Sequence, residues 1–427
     1  MLFLFLLSKN LAVSKQNYKD YEKKNIVILG GGFAGVRAAL DLAEYLRDDP
    51  EYEIILIDRK DYQLYNAALY EAATAEHGLV EAKKVKTTVA IPFSKIFRNT
   101  KVKVYKAYID SVNLDGGMVV TDSRIINYNY LIVALGSVPD FYGIPSIEKY
   151  GFTLKSLEDA IMIRNRIEEL VSKRDKAQIV IGGGGFSGAE FAGELHNLLQ
   201  HECKHHQKNP ENFGITIVEG STTLLSGLPS NISKMVVDRL TNLGIKMIFS
   251  TLVTEASGSS IMLNNKEKID CDLLVWTGGV KSCRMPGNID IDRDRKDRIP
   301  STEYLNLKKL PNVFIAGDNL CFNDLITKKP LPQTAQEAIR QAKCVAKNVY
   351  RMIKGKSLLP YFPGTFRYVI PVAGKHAIFY SKDIVIGGSV GWLIRRLADL
   401  KYFLSVLPFF SALGFWMFEN EIFIKND

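Results

Sequence analysis

Two copies of a glycine-rich turn, each between a buried strand and a helical segment, predict an α/β fold with two Rossmann-like domains. The first turn begins at residue 30 and the second at residue 183. A third observation is a later apolar strand that ends in Gly317-Asp318. The chain of 427 residues has room for two to four domains, so both units fit.

Composition excludes several classes of protein. With 47% apolar and 24% charged residues, the chain is neither disordered, nor collagen-like, nor a polytopic membrane protein. The net charge of +9 suits an anionic membrane surface, nucleic acid or phosphorylated ligands and does not choose among them. We expect no nucleic-acid partner. The five cysteines are odd in number and form no CxxC pair, which argues against a disulfide framework and favours a reducing compartment.

The first unit contains every part of a dinucleotide-binding motif. A strand precedes Gly30, Gly32 and Gly35 in GxGxxG spacing, and a helical pattern over residues 36–46 follows. These glycines allow the tight turn, the approach of a pyrophosphate and close helix packing, while the free amides of the helix favour phosphate. The next strand ends in Asp58, which can bind the ribose hydroxyls.

The second unit repeats this arrangement at Gly183, Gly185 and Gly188, and its next strand ends in Glu219. An acid at that position favours a free 2′-hydroxyl and therefore NADH over NADPH. The insertion at 201–208 contains three histidines, and two of them stand at i,i+4, the spacing of a metal pair. Because no clear ligand set completes this pair, we expect no metal and a polar loop at the end of a long helix.

Two dinucleotide units imply two dinucleotides, usually a resident FAD and a visiting nicotinamide cofactor. The strand that ends in Asp318 resembles the second flavin fingerprint of two-dinucleotide flavoproteins, in which the aspartate binds the ribityl chain. The strand ends at Gly136 and Gly279 resemble the points where such chains cross between domains.

The C-terminal region has a different pattern. Residues 402–418 carry no charge, and five leucines from Leu393 to Leu407 recur at helical spacing. Arg395, Arg396 and Asp399 fall on another face. This pattern predicts an amphipathic helix in a membrane interface; a helix packed on its own domain or on a second copy, and a true span, are the alternatives. The apolar start of the chain is too short for a signal peptide.

From residue 24 onward the sequence resembles the type II (non-proton-pumping) NADH:quinone oxidoreductases. The resemblance rests on LYEAA at 69–73, on GAEFAGEL at 188–195, on the C-terminal amphipathic stretch and on QTAQEA at 333–338, the start of an Ala-Gln-x-Ala-x-Gln quinone motif. The final glutamine of that motif is Arg340 here, and Gln341 comes one place later. The proline usual near residues 66–68 is missing.

The resemblance implies an FAD-dependent enzyme that transfers two electrons from NADH to ubiquinone or menaquinone without pumping protons. It implies a peripheral protein on the cytoplasmic face of the cell membrane, with a homodimer as one possible assembly. It makes Glu190 and Gln336 the catalytic residues, with Gln336 and Arg340 binding quinone at the start of a helix over 334–351. The FAD residues are then Gly30, Gly32, Phe33, Ala34, Gly35, Asp58, Arg59, Gly136, Asp318, Ala335 and Gln336. The NADH residues are Gly183, Gly185, Phe186, Ser187, Gly188, Glu190, Glu219 and Gly279.

The predicted organisation has four parts. An N-terminal extension (1–23) precedes a discontinuous FAD-binding domain (24–150 and 286–365) that encloses an NADH-binding domain (151–285), and a membrane-association region (366–427) ends the chain. Three other functions remain open: a soluble NADH-dependent flavin reductase or oxidase using oxygen or ferredoxin, a sulfide:quinone oxidoreductase-like enzyme, and a non-catalytic redox-sensing flavoprotein. The second of these needs a spaced pair of reactive cysteines, which we cannot place in this sequence.

Overall fold

The computed structural model describes residues 23–76, 82–287, 290–324, 328 and 330–423; the predicted N-terminal extension lies almost wholly outside them. The strands are β1 (Lys24–Leu29), β2 (Tyr52–Asp58), β3 (Tyr62–Leu64), β4 (Ala90–Pro92), β5 (Val102–Lys106), β6 (Ile109–Asn113), β7 (Met118–Thr121), β8 (Ile125–Asn127), β9 (Tyr130–Val133), β10 (Ser137–Pro139), β11 (Gly151–Thr153), β12 (Ala177–Gly182), β13 (Phe213–Val218), β14 (Lys246–Ile248), β15 (Val253–Ala256), β16 (Ser260–Leu263), β17 (Lys268–Asp270), β18 (Leu273–Trp276), β19 (Val280–Ser282), β20 (Ile299–Pro300), β21 (Val313–Ile315), β22 (Leu320–Cys321), β23 (Tyr368–Pro371), β24 (Ala377–Ser381) and β25 (Ile384–Ile386). The α-helices are α1 (Phe33–Tyr45), α2 (Leu69–Ala73), α3 (Ala82–Val89), α4 (Phe93–Ile96), α5 (Pro145–Tyr150), α6 (Leu157–Lys173), α7 (Phe186–His205), α8 (Ser230–Asn242), α9 (Ala335–Ile353), α10 (Gly388–Val406) and α11 (Phe409–Phe423).

The first domain is built on a parallel sheet of order β21-β9-β1-β2-β5. Strand β1 is central, and its apolar run is buried on both faces, as expected for an inner strand of a parallel sheet. Strand β21 joins the sheet from far along the chain, with Val313 beside Leu131. The first domain is therefore discontinuous in sequence, and α9 packs along α1.

The second domain repeats the plan with a parallel sheet of order β11-β18-β12-β13-β14. Strands β10 and β19 pair antiparallel where the chain crosses between the two domains. Buried Asn319 braces the crossing, because its amide donates to Ser282 Oγ (2.7 Å) and Cys283 O (2.9 Å) and its oxygen accepts from Gly136 N (3.0 Å). The predicted α/β class with two such domains is confirmed, whereas the residue boundaries of the domains stay a prediction.

The insertion at 201–208 is mostly helical, because α7 continues to His205 before the chain turns. His201 and His206 face Glu76 and Glu202 at 4.0 and 3.8 Å. Within the described ranges, no three His, Cys, Asp or Glu side chains come together in a way that could hold a metal.

The C-terminal region forms the antiparallel sheet β23-β24-β25 and a helical hairpin, α10 and α11. The face of α10 with Arg395, Arg396 and Asp399 is buried against the first domain. Leu393, Leu397 and Leu404 are exposed as predicted, whereas Leu407 is buried and does not belong to the apolar stripe. In the part of the chain that the structure describes, no helix is both long and apolar enough to cross a bilayer.

Candidate functional site

The loop before α1 is shaped for close approach of a ligand to the backbone. Gly30 has a φ of +98°, and a Cβ there would lie 2.3 Å from the carbonyl oxygen of Ala134. A Cβ at Gly35 would lie 1.8 Å from the carbonyl oxygen of Gly30, so the helix packs directly on the turn. A Cβ at Gly32 would meet nothing within 4 Å. No side chain caps α1, so its first amides remain open to a phosphate.

Asp58 stands at the carboxyl end of β2 and braces this loop. Its carboxylate accepts hydrogen bonds from the amides of Gly31 (2.6 Å) and Lys60 (2.8 Å). Burial raises the pKa of Asp58, and these two backbone bonds oppose the shift. The exposed Arg59 follows it, while Ala34 lies under the loop, 3.3 Å from where a Cβ of Gly317 would be.

The loop before α7 has the same construction. Gly183 has a φ of +114°, a Cβ at Gly188 would lie 2.0 Å from the carbonyl oxygen of Gly183, and Gly185 faces open space. Glu219 accepts from the amides of Gly184 (2.5 Å) and Ser221 (2.7 Å), in the role that Asp58 has in the first domain.

Three more residues assigned to NADH lie around this loop. Phe186 begins α7 and stacks on Tyr368 with ring centroids 5.4 Å apart, and the neighbouring Ser187 is exposed. Gly279 has a φ of +149°, and a Cβ there would lie 2.6 Å from the hydroxyl of Tyr142. Tyr142 therefore covers the carboxyl end of β18, a contact that no sequence pattern predicts.

Asp318 lies where the two domains meet. The hydroxyl of Ser137 donates to its carboxylate, and Lys155 Nζ lies 2.8 Å from Ser137 Oγ and 4.0 Å from Asp318 Oδ2. Sequence reasoning missed both Ser137 and Lys155. The signal for Lys155 was its place between the end of β11 and Ser156, the residue that caps α6.

The start of α9 forms a second cluster. The side-chain oxygen of Gln336 accepts from Arg340 Nη2 (2.9 Å) and from the amide of Arg367 (3.3 Å). Arg340 also donates to Thr365 O (2.5 Å) and lies 3.6 Å from Glu337 Oε2. Arg340 thus ties Gln336 to the 365–367 loop. Gln341 is buried and accepts from the amide of Gly317 (2.8 Å), so the shifted glutamine supports the Gly-Asp turn.

Glu190 lies one turn into α7, close to Gly188. Among the described residues its carboxyl group has no hydrogen-bond partner. Burial raises its pKa to about 8, Glu71 adds to the rise and Arg395 opposes it. Glu190 is therefore mostly protonated at neutral pH and can donate a proton.

The five cysteines are all free thiols. Burial raises the pKa of each of them, to about 11 for Cys203 and Cys344 and to about 12 for Cys271. A raised pKa disfavours the thiolate that thiol–disulfide chemistry needs. This argues against the sulfide:quinone oxidoreductase alternative.

A model of the pyridine nucleotide-disulphide oxidoreductases matches residues 24–342, three quarters of the chain. The chain belongs to this family. Among relatives within it, the type II NADH:quinone oxidoreductase of Staphylococcus saprophyticus is 26% identical over 398 residues, covering 89% of this chain and 95% of that protein. The Staphylococcus aureus protein of the same name is 25% identical, covering 85% and 94%. These relatives confirm the resemblance predicted from the motifs.

Two solved structures share the fold of this chain. NDH2 of Plasmodium falciparum, solved with NADH, gives a TM-score of 0.80 at 16% identity and covers 93% of this chain and 98% of that chain. The sulfide:quinone oxidoreductase of Aquifex aeolicus gives 0.74 at 19% identity, covering 89% and 90%.

Proposed function

We propose that this protein is an FAD-dependent oxidoreductase that transfers two electrons from NADH to a membrane quinone and pumps no protons. The observation that carries the proposal is the pair of open loops at Gly32 and Gly185, each braced by its own acid. Glu190, whose pKa burial raises to about 8, lies beside the second loop. The sequence relatives named type II NADH:quinone oxidoreductase support the same reaction.

The residues present fit an FAD. A Cβ at Gly32 or at Gly136 would meet no atom within 4 Å, so both positions border open space. No side chain caps the first amides of α1. Asp318 and Lys155 place polar groups between the two domains. When bound, FAD would supply the redox chemistry that links NADH to the acceptor. The amides of α1 would hold its pyrophosphate, and Asp58 would orient its ribose.

The residues of the second loop fit NADH. The uncapped amides of α7 would hold its pyrophosphate, and Glu219 would accept from its ribose hydroxyls. Glu219 would repel a 2′-phosphate, so NADPH binds weakly. Phe186, at the start of α7, would lie against the incoming nucleotide.

Glu190 and Gln336 would act on the quinone. Reduction to a quinol takes up two electrons and two protons, and NADH brings two electrons and one proton as a hydride. The second proton must come from water through the protein. Glu190 holds a proton at neutral pH and can deliver it, while Gln336 can donate a hydrogen bond to a quinone carbonyl.

The hairpin α10–α11 would hold the protein on the membrane. Its outer face exposes large apolar side chains: Val390, Leu393, Leu397, Leu404, Phe409, Phe410 and Met417. Three charged residues of α10, Arg395, Arg396 and Asp399, point the other way and are buried. A helix that is apolar outside and charged inside favours an interfacial position on lipid. We expect a peripheral protein on the cytoplasmic face of the membrane.

Anaerobic stopped-flow on the purified protein tests the function directly. NADH should bleach the flavin absorbance rapidly, and a short-chain quinone added next should restore it rapidly. Fast bleaching with slow recovery would mean that oxygen, ferredoxin or another acceptor replaces quinone. The absence of fast turnover with any acceptor would favour a non-catalytic flavoprotein.

We expect Gln336→Ala to slow quinone reduction about 10- to 100-fold, because it removes a hydrogen bond to the quinone carbonyl. NADH should bleach the flavin at the wild-type rate, since this substitution leaves the second loop intact. Single-turnover rates of the two half-reactions give the comparison. Equal slowing of both would mean that Gln336 supports the flavin instead.

We expect the double variant Leu397→Glu/Phe410→Glu to lose at least about tenfold in affinity for anionic lipid vesicles, since burying one such side chain stabilises by about 1.5–3 kcal/mol. Vesicle co-sedimentation measures this loss. Leu252→Glu, at an equally exposed leucine of the second domain, is the matched control. Unchanged vesicle binding together with a shift from dimer to monomer would make the apolar face a homodimer interface.

A further inference from the structure

A group of buried charges lies where the hairpin packs on the first domain. We call it the hairpin charge cluster and define it by five residues: Glu71, Arg395, Arg396, Asp399 and Glu419. Each is less than 9% exposed. Arg395 forms an ion pair with Asp399, and Arg396 Nη2 donates to Glu71 Oε1 at 2.6 Å. The contact of Arg396 with Glu71 joins α10 to α2 across 325 residues of sequence.

Glu419 has no such partner. It is fully buried, and neither of its carboxyl oxygens has a hydrogen-bond partner among the described residues. It shares a face of α11 with Trp416, whose indole donates to Arg396 O at 2.8 Å, so this face is turned toward α10. An ionised carboxylate in such a place is strongly disfavoured unless it is paired, so Glu419 keeps a proton.

Among the described residues, the charges around Glu419 are unbalanced. The two guanidinium groups are already paired with Asp399 and Glu71, and α3, the other helix packed on α11, turns Lys84 and Lys86 to solvent. Glu419 and Glu190 are therefore acids without an ion-pair partner among the described residues. Burial and the charge of Glu71 raise the pKa of Glu419, while Arg396 and Arg395 oppose the rise.

The cluster also reaches Glu190. Helix α2, which carries Glu71, packs on α7, which carries Glu190. Arg395 and Glu71 affect the pKa of both Glu419 and Glu190. Burial and the negative charges of Glu71, Glu190 and Glu194 raise the pKa of Tyr70. The Tyr70 hydroxyl and Glu71 Oε2 both lack a hydrogen-bond partner in the described structure. Glu194 itself accepts from the amide of Gly374 at 3.1 Å. A buried hydroxyl and a free carboxyl oxygen can each accept and pass a proton.

We propose that Glu419 is a proton store that reprotonates Glu190, through the unpartnered Oε2 of Glu71, after Glu190 has given its proton to the reduced quinone. Only protons move in this step. Glu190 loses one to the quinone oxygen and regains one from the store, and water at the hairpin surface refills Glu419. The inference rests on the proposed function and adds positioning residues on the C-terminal hairpin.

The test compares Glu419→Gln with Glu421→Gln in the full-length, FAD-loaded enzyme. Gln keeps the size of the side chain and removes its proton, and Glu421 is an exposed acid on the same helix. Infrared spectra of the resting enzyme should lose one protonated-carboxyl band in Glu419→Gln and none in Glu421→Gln. The more conservative Glu419→Asp should retain the band.

Stopped-flow supplies the second readout. In Glu419→Gln we expect reoxidation by quinone to be about tenfold slower near pH 7.5 and close to wild type near pH 6, where water supplies protons readily. Bleaching by NADH should not change. An intact carboxyl band, or equal slowing at every pH, would overturn the proton store. If wild type itself fails to reduce quinone, the proposed function falls and the inference falls with it.

Discussion

Gly188→Ala should slow the reduction of the flavin by NADH at least about 100-fold, because displacing a positioning element by about 1 Å has effects of that size. The added Cβ would lie 2.0 Å from the carbonyl oxygen of Gly183 and 2.9 Å from Thr277 Oγ1, and neither is the far end of a flexible side chain. The start of α7 must move away from its turn, and the amides that would hold the pyrophosphate move with it. FAD content should stay at the wild-type level.

Two further variants make this result specific. Gly35→Ala places the same clash at the first loop, 1.8 Å from Gly30 O, and should empty the protein of FAD. Gly227→Ala, where a Cβ meets nothing within 4 Å, should change neither property. Flavin absorbance per protein and the rate of bleaching by NADH give both readouts. If Gly188→Ala lost FAD and kept NADH affinity, the assignment of the two loops would be reversed.

Arg396→Met should lower the free energy of unfolding by about 3–5 kcal/mol, because it leaves a buried carboxylate without its cation. Arg396 is 3% exposed and donates to Glu71, which is 6% exposed. Methionine fills much of the same volume, so the effect reports the lost charge and not a cavity. Urea unfolding followed by circular dichroism measures the change.

The double variant Arg396→Met/Glu71→Gln should recover much of this stability, because no unpaired charge remains. Lys401→Met, at an exposed residue of the same helix, should change the unfolding free energy by less than about 0.5 kcal/mol. A loss for Lys401→Met as large as that for Arg396→Met would mean that α10 responds to any substitution.

The sequence predicted the two loops well because their physics is local. Gly30 and Gly183 need positive φ, and Gly35 and Gly188 need a missing side chain, so residue type and spacing alone locate the turns. The acids at Asp58 and Glu219 follow, since each stands at the end of the next strand. The predicted helix over 36–46 begins three residues earlier in the structure, because the glycine turn itself leads into it.

The inward direction of the charges on α10 could not be predicted in the same way. Helical spacing placed Arg395, Arg396 and Asp399 on one face but carried no information about what that face meets. Arg396 donates to Glu71 on α2, and Arg395 donates to the carbonyl of Ala67 just before that helix. Both partners lie more than 300 residues earlier, and only the folded chain brings them together. Glu419 was missed for the same reason, since a single acid near a chain end is usually exposed.

The C-terminal hairpin has two roles in this structure. Its outer surface exposes leucine and phenylalanine side chains, and its buried Arg395 lowers the pKa of Glu190. Cutting the chain before α10 would remove the proposed lipid contact and would also remove from the proposed quinone site the guanidinium that opposes the pKa rise of Glu190. A truncated enzyme that fails with quinone would therefore say nothing about whether lipid is required. Substitutions confined to the outer face are what separate attachment to the bilayer from chemistry within the protein.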